Sequence, residues 1–385
     1  MRGRPSLHSK ILGSLIGSAA GDAMGAATEA RTTEQILERF GHRVTDFETP
    51  PMDTFAAGSA AGQVTDDFSS AYFVIWSIVR NEGRVDEELV KAALVEWSEH
   101  EMFFDRFAGP TTRMAIELFK TGREPSFRGI NLSSRQATNG AAMRIAPVGL
   151  LFPGSLDLAV GNALRVARLT HDNVLALSGA CAVAAAVNRA LSPDADLYSV
   201  LEAGLYGAVE GERLGMECSR DVAGPRVVSK LELALDIGLS PLPPELRAIE
   251  VRDRIGTGLH IAEAVPAAFG ILASRRGDAM ETLIDCVNIG YDTDTLATIA
   301  GRIEGAVYGC AGELSSSSMY HYRNIDKSMR NGDEILALWR DLGIDTKNHL
   351  PFMCGSGWRV SEILWYARVM GLNDTSIYSD GWIAW

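Results

Sequence analysis

Apolar residues recur at three- and four-residue spacings along most of the chain. "FSSAYFVIWSIVRN" (68–81), "DEELVKAALVEWSEH" (86–100), "PTTRMAIELFKTG" (110–122), "NVLALSGACAVAAAVNRAL" (173–191) and "LYSVLEAGLYGAVEGER" (197–213) each place their apolar positions on a helical face. "HIAEAVPAAFGILASR" and "DAMETLIDCVNIG" continue the pattern. No sustained two-residue alternation is flanked by turn signals, so few strands are expected. The pattern predicts an all-α fold, with a Pro-rich irregular stretch at "SPLPPELRAIEVRDR" (240–254).

Two glycine stripes interrupt these helices. Gly13, Gly17, Gly21 and Gly25 recur every four residues, as do Gly301, Gly305 and Gly309. An interior glycine costs a helix about 1 kcal/mol against alanine. Such regularity makes sense where a neighbouring backbone must come close, so both stripes are expected at the centre of a helical bundle.

Residues 313–385 have a different character. They hold five of the seven tryptophans: Trp339, Trp358, Trp365, Trp382 and Trp385. Two helical runs are expected there, "DEILALWRDLG" and "WRVSEILWYARVMG", before the chain reaches "GWIAW". The reading is a helical domain over 1–312 and a helical, Trp-rich extension over 313–385. The extension covers the core or forms an interface, a homodimer contact among the options. Its aromatics are read as packing.

Composition narrows the function classes. The chain has 385 residues, 46% of them hydrophobic, which suffices for one large domain with an extension. Net charge is −13 without a basic stripe, so a nucleic-acid polymer and an anionic membrane are not expected partners. A nucleotide-like small molecule stays compatible if metal ions supply positive charge. Five scattered cysteines, odd in number and without a C-x-x-C pair, fit a reduced cytoplasmic protein with inert thiols. The start, "MRGRPSLHSK" then "ILGSLIGSAA", has the charge pattern of a signal peptide. Its glycine period and Asp22 argue against that reading. No apolar run reaches about 18 residues, so no membrane-spanning helix is expected.

The candidate chemistry lies in two acidic clusters. In "NIGYDTDTLATIAG" (288–301), Asp292 and Asp294 open an apolar helix, and the next basic residue is Arg302. In "GQVTDDFSSAYF", Thr65, Asp66 and Asp67 precede another. Alone, each reads as a helix N-cap favoured by the helix dipole. If the two helix starts converge, four carboxylates and two hydroxyls meet. Such a group stays ionised only with compensation, which divalent cations supply. All-oxygen ligands select Mg²⁺ or Mn²⁺ over zinc.

"GSLIGSAAGDAMGAATE", "GQVTDD", "NGAAMRIAPVGL", "LTH" and "GYDTDTLATIAGRIEGAVYG" occur in an order that resembles the ADP-ribosylglycohydrolase family over residues 9–312. That family includes dinitrogenase-reductase-activating glycohydrolase and the ADP-ribosylhydrolases. The resemblance implies a single large orthogonal helical bundle with a binuclear Mg²⁺ or Mn²⁺ centre. It implies hydrolysis of an N- or O-glycosidic bond at the anomeric carbon of a ribose. Carried over, Thr65, Asp66, Asp67, Asp292, Asp294 and Thr295 are the metal ligands, with one aspartate bridging. Asp22 supports or caps them. Glu29 is the general base or a gate, and Asp105 a weaker candidate for protonating the sugar or leaving group. Asn139 and Gly140 line the phosphate side, and His171 lines the ribosyl pocket.

Three positions depart from the family pattern. Tyr291 stands where Gly-Gly-Asp is usual, Phe68 where Thr-Asp-Asp-Thr is usual, and Thr138 where Gly precedes Asn-Gly. Thr138 narrows a pyrophosphate cradle. Tyr291 either stacks on a base or fills the space of an adenosine. Three functions follow. The first is an ADP-ribosyl hydrolase acting on a small molecule or an ADP-ribosylated protein. The second is a hydrolase of smaller nucleoside-like N-ribosides. The third is a non-enzymatic binding or structural member, for which a lens crystallin is the precedent.

Overall fold

The computed structural model describes residues 5–123, 126–127, 130–131 and 137–309, then 336, 339–340, 350–352, 372 and 375–377. The chain divides into two compact units, Met1–Cys310 and Ala311–Trp385.

The first unit begins with helices α1 (Leu7–Gly25), α2 (Thr33–Phe40), α3 (Asp66–Arg80), α4 (Glu87–Trp97), α5 (Phe104–Phe107) and α6 (Pro110–Thr121). A short antiparallel pair, β1 (Ser126–Phe127) and β2 (Ile130–Asn131), follows. Then come α7 (Gly140–Met143), α8 (Ala146–Gly149), α9 (Leu156–Arg168), α10 (Val174–Ala190) and α11 (Leu197–Cys218). The last are α12 (Val227–Leu239), α13 (Pro244–Ile255), α14 (Ile261–Arg275), α15 (Ala279–Asn288) and α16 (Thr293–Tyr308). The fold is all-α in class.

Local sequence sets many of the starts. Asn173 accepts from Ala176 N at the head of α10, and Asp86 from Leu89 N at the head of α4. Thr32 with Gln35, and Asp196 with Ser199, form reciprocal capping boxes. α10 is apolar all round because it runs through the core. Leu177, Val183 and Val187 share one cluster with Val200 of α11 and Phe269 of α14.

The glycine stripes of α1 and α16 face each other. A Cβ on Gly17 would strike the carbonyl of Gly301, and one on Gly21 the carbonyl of Ala297. Gly305 lies in the same way on the carbonyl of Gly13. The two backbones therefore pack directly, and this fixes where the N-terminal end of α16 sits.

Two expectations change. The stretch 240–254 was expected to be irregular, yet α13 occupies Pro244–Ile255. Its prolines stand at the helix start, where a missing N–H breaks no bond, so they initiate the helix. The extension was expected to be helical, with two helical runs. Leu336, Trp339 and Arg340 are helical, but β3 (Leu350–Phe352) pairs in parallel with β4 (Thr375–Ile377). Strands of three residues are too short to reveal an alternation. The runs "WRVSEILWYARVMG" and "GWIAW" lie outside the described residues. Among the described residues, no helix is long and apolar enough to cross a membrane.

Candidate active site

The α1–α16 contact delivers the acidic residues. Asp22, fully buried on α1, accepts the backbone N–H of Thr65 at 3.0 Å, the Thr65 hydroxyl at 2.7 Å and the N–H of Phe68 at 2.9 Å. A carboxylate from one helix thus caps the start of α3. Thr65 stands at the N-cap and also accepts from Asp67 N.

Asp292 occupies the N-cap position of α16 but caps nothing with its side chain. Its Oδ2 instead accepts from Asn139 Nδ2, while its own N–H donates to the Thr257 carbonyl at 3.0 Å. Capping therefore does not account for this carboxylate. Asp294 Oδ1 accepts from Thr295 N at 2.9 Å. Thr28 donates to Thr293 Oγ1 and Thr293 to the Gly25 carbonyl, tying the segment before Glu29 to α16. Ala30 N donates to Tyr291 O and Tyr291 N to Arg31 O, holding the Glu29 turn beside the Asp292 loop.

One ligand oxygen from each of Glu29, Asp292 and Asp294 lies within 4.8 Å of the others. Burial is the first cause that raises every carboxyl here. It pushes Asp294 up to about 6. Burial and then the charge of Asp294 push Asp22 up to about 7, and hold Asp66, Asp67, Asp292 and Glu29 well above their ordinary range. Asp67 Oδ2 is buried without a hydrogen-bond partner. Among the described residues, no ion pair neutralises Glu29, Asp292 or Asp294. An all-oxygen donor set with an orphaned acceptor suits hard divalent cations.

Two buried arginines stand near the other half. Arg144 donates through Nη2 to Thr112 Oγ1 at 2.7 Å, and its Nε and Nη1 have no partner. Arg302 donates to Ser18 Oγ and the Met143 carbonyl. Burial pushes each guanidinium down to about 10, opposed by Asp66 and Asp67 for Arg144 and by Asp67 and Asp22 for Arg302. Sequence reasoning gave Arg144 no role. Its signal was a charge inside the apolar run "AAMRIAPVGL".

The remaining candidates separate. Asn139 and Gly140 start α7, with Asn139 turned to Asp292 and Gly140 against the His171 ring. His171 is fully buried, and its nitrogens meet Thr138 Oγ1 at 2.9 Å and Thr170 Oγ1 at 2.8 Å. It lies beneath the Thr138–Asn139–Gly140 turn with both nitrogens engaged. Burial and Arg144 push it down to about 3, so it is neutral. Tyr291 is 53% exposed with φ of +71°, a left-handed backbone that favours glycine. Asp105 is exposed on α5, outside the Glu29–Asp292–Asp294 group. A cavity of about 480 Å³ adjoins Glu29, walled by Arg31, Arg39 and Asp53 among others.

Known proteins share this architecture. A solved structure titled "ADP-ribosylglycohydrolase-related protein complex" superposes with a TM-score of 0.58 at 22% identity, covering 87% of this chain and 98% of that one; the likeness establishes the fold. ADP-ribosylhydrolase ARH3 of Bos taurus is 28% identical over 296 residues, 69% of this chain and 76% of that protein. The protein YegU of Escherichia coli is 28% identical over 302 residues, 78% of this chain and 88% of its own length. A separate short likeness, 42% over 85 residues, joins 22% of this chain to 19% of the thiosulfate sulfurtransferase YnjE of Escherichia coli. The family model for ADP-ribosylglycohydrolase matches residues 3–346. With its two acidic clusters in the family's order and its all-α frame, the chain belongs to the ADP-ribosylglycohydrolase family and is a glycosidase.

Proposed function

We propose that the chain hydrolyses the bond at the anomeric carbon of an ADP-ribosyl group, carried by a small molecule or a modified protein. The observation behind this is the meeting of Glu29, Asp292 and Asp294 oxygens, with no ion pair to them among the described residues, beside Asp66 and Asp67. The substrate class is taken from the ADP-ribosylhydrolase relatives.

Thr65, Asp66, Asp67, Asp292, Asp294 and Thr295 would hold two divalent cations, Mg²⁺ or Mn²⁺. Such ions, when bound, acidify a water and polarise the ribose hydroxyls. Glu29 sits half-buried where the cluster opens to the cavity, with its proton affinity raised by burial and by Asp294. It takes the proton of the attacking water and passes it to the leaving atom. Exposed Asp105 is then not required. The carboxylates stabilise the oxocarbenium-like charge on the sugar. Asn139 orients Asp292, and His171 props the turn that faces the phosphates. Tyr291 offers an exposed ring for stacking on the substrate.

Product release from a matched panel tests this reading. With Mg²⁺ or Mn²⁺, the protein meets ADP-ribosyl-arginine, ADP-ribosyl-serine, O-acetyl-ADP-ribose and nucleosides. Release of ADP-ribose that stops on adding chelator supports it. Ribose released from nucleosides alone supports the smaller N-riboside reading. Neither product, with ADP-ribose still bound, supports a binding or structural member.

A second chemistry concerns the C-terminal unit. We infer that the sulfurtransferase-like stretch of 85 residues takes in the C-terminal unit, where the sequence reads "FMCGSGWRV". Cys354 stands there among glycines, with Arg359 five residues on in sequence. The thiolate would take the outer sulfur of thiosulfate, releasing sulfite, and pass that sulfur to cyanide as thiocyanate. Thiocyanate formation lost in Cys354→Ser supports the assignment. Equal rates in both proteins remove it.

A further inference from the structure

The cavity beside Glu29 is walled by charge. Among the described residues that line it, Ala30 alone is apolar and none is aromatic; Glu29, Arg31, Gln35, Glu38, Arg39 and Asp53 make the rest. Gln35, Glu38 and Arg39 come from one face of α2, at the three- and four-residue spacing of a helix. Arg31 is the fixed point. Its carbonyl accepts the Tyr291 N–H at 2.8 Å, and its Nη1 donates to the Glu29 carbonyl at 3.3 Å. The guanidinium therefore stands beside the residue assigned the proton transfer. Its Nη2 donates to Asp53 Oδ1 at 2.6 Å, with the Arg31 side chain 9% exposed and that of Asp53 77% exposed. A buried guanidinium is thus satisfied by an aspartate that is mostly in water.

We propose that this cavity receives the leaving group and that Arg31 binds a carboxylate carried by it, with Asp53 occupying that place in the free protein. This rests on the ADP-ribosyl hydrolase reading above. An ion pair to so exposed an aspartate is weak, and Asp53 returns to water at little cost. The substrate carboxylate is already held near by the ribosyl end, so its pairing with Arg31 is effectively intramolecular. A guanidinium stays charged at any working pH, and its hydrogen bonds to a carboxylate are charge-assisted, the stronger kind. Arg39 adds a second positive charge to the wall and Glu38 a negative one. Both signs together suit the carboxylate and ammonium of a free amino acid. A residue within a protein chain carries neither group, and a nucleobase would find no ring to stack on among the described lining residues. The substrate class is therefore an ADP-ribosyl group on a free amino acid, and Arg31 is its specificity-determining residue.

The test is ADP-ribose release by full-length protein with Mn²⁺ from ADP-ribosyl-arginine and ADP-ribosyl-serine, each beside its α-carboxamide. The preference is read on whichever linkage is hydrolysed. Wild type is expected to favour the carboxylate by at least about tenfold in kcat/KM, chiefly through KM, as a charge-assisted hydrogen bond warrants. Arg31→Gln should remove most of that preference, and Arg31→Lys should keep part of it. A merely structural role for Arg31 would lower kcat for acid and amide alike and leave the preference standing. Asp53→Asn removes the resident negative charge at an exposed position, and should lower KM for the carboxylate severalfold while the amide responds less. Equal kcat/KM for acid and amide in wild type, or an intact preference in Arg31→Gln, overturns the inference. If Arg31→Gln does not fold, Asp53→Asn decides, and a carboxylate KM that is unchanged or raised there overturns it. Wild type that releases ADP-ribose from none of these substrates removes the hydrolase reading, and this inference with it.

Discussion

Gly25 of α1 lies directly against the backbone of Asp294, so that a Cβ on Gly25 would overlap Asp294 Cα and N and the Thr293 carbonyl carbon. Backbone atoms cannot swing aside as a long side chain can. Gly25→Ala is therefore expected to push the N-terminal end of α16 away and cost about 1–3 kcal/mol of stability. Because Asp294 moves with it, activity should fall by more than tenfold. Gly161 of α9 has open space about it, and Gly161→Ala should raise stability by about 0.5–1 kcal/mol. Melting temperature and product release on both variants check the pair. Wild-type activity in Gly25→Ala would mean that this contact does not place the carboxylate.

Asp294 raises the proton affinity of Asp22, Glu29, Asp66, Asp67 and Asp292 at once. Asp294→Ala should abolish metal-dependent hydrolysis and the stabilisation by Mn²⁺. It should also raise the melting temperature of the metal-free protein at pH 8, by relieving like-charge repulsion. Circular dichroism should remain helical. Full activity in this variant would overturn the ligand assignment.

Glu304 isolates the effect of a buried acid away from the centre. It bonds Thr282, its Oε2 has no partner, and burial pushes it up to about 7 from 4.5. An acid raised on folding contributes stability that is full below its unfolded value and is lost as pH rises through its folded value. Metal-free protein should thus lose stability between about pH 4.5 and 7, with Asp294 at about 6 and Asp22 at about 7 adding to the decline. Mn²⁺ should flatten the share of the two aspartates only. Glu304→Gln should remove its own share and be more stable than wild type at pH 8. Parallel stability profiles for the two proteins would contradict this.

The helices were legible because each long run keeps one apolar period over several turns. α13 was not, because Pro241, Pro243 and Pro244 read as breakers until their place at the helix start is known. The acidic clusters were visible as patterns, but their meeting depends on the glycine-to-backbone packing of α1 on α16. Asn139 reaching Asp292 is a contact between distant segments that no local pattern encodes. The same holds for His171, whose burial comes from the turn above it, and for Arg144, whose apolar neighbours hinted at burial without naming its carboxylates.

Tyr291 holds a left-handed backbone, with its ring beside Gly258 and half its surface exposed. A non-glycine residue there costs on the order of 1 kcal/mol or more. Tyr291→Gly should leave stability within about 1 kcal/mol of wild type, since relief of strain offsets the added freedom of the unfolded chain. It should widen the pocket. The ratio of kcat/KM for ADP-ribosyl substrates over nucleosides is expected to rise severalfold, chiefly through KM. An unchanged ratio would show that the ring does not contact the substrate.

His171 gives a test with the opposite pH sign. Its pKa is pushed down to about 3 from 6.5, so the unfolded chain takes up a proton that the folded protein refuses. That contribution is full above about pH 6.5 and is lost as pH falls toward 3. His171→Gln cannot take up that proton, so its stability should decline less between pH 6 and 4. Near pH 7.5 it should be less stable by about 1–3 kcal/mol, because the hydroxyls of Thr138 and Thr170 lose matched partners. If His171 acts by propping the turn, KM rises in His171→Gln while the pH profile of kcat stays where it was. A shifted acid limb of kcat would show instead that the imidazole itself exchanges protons with the substrate.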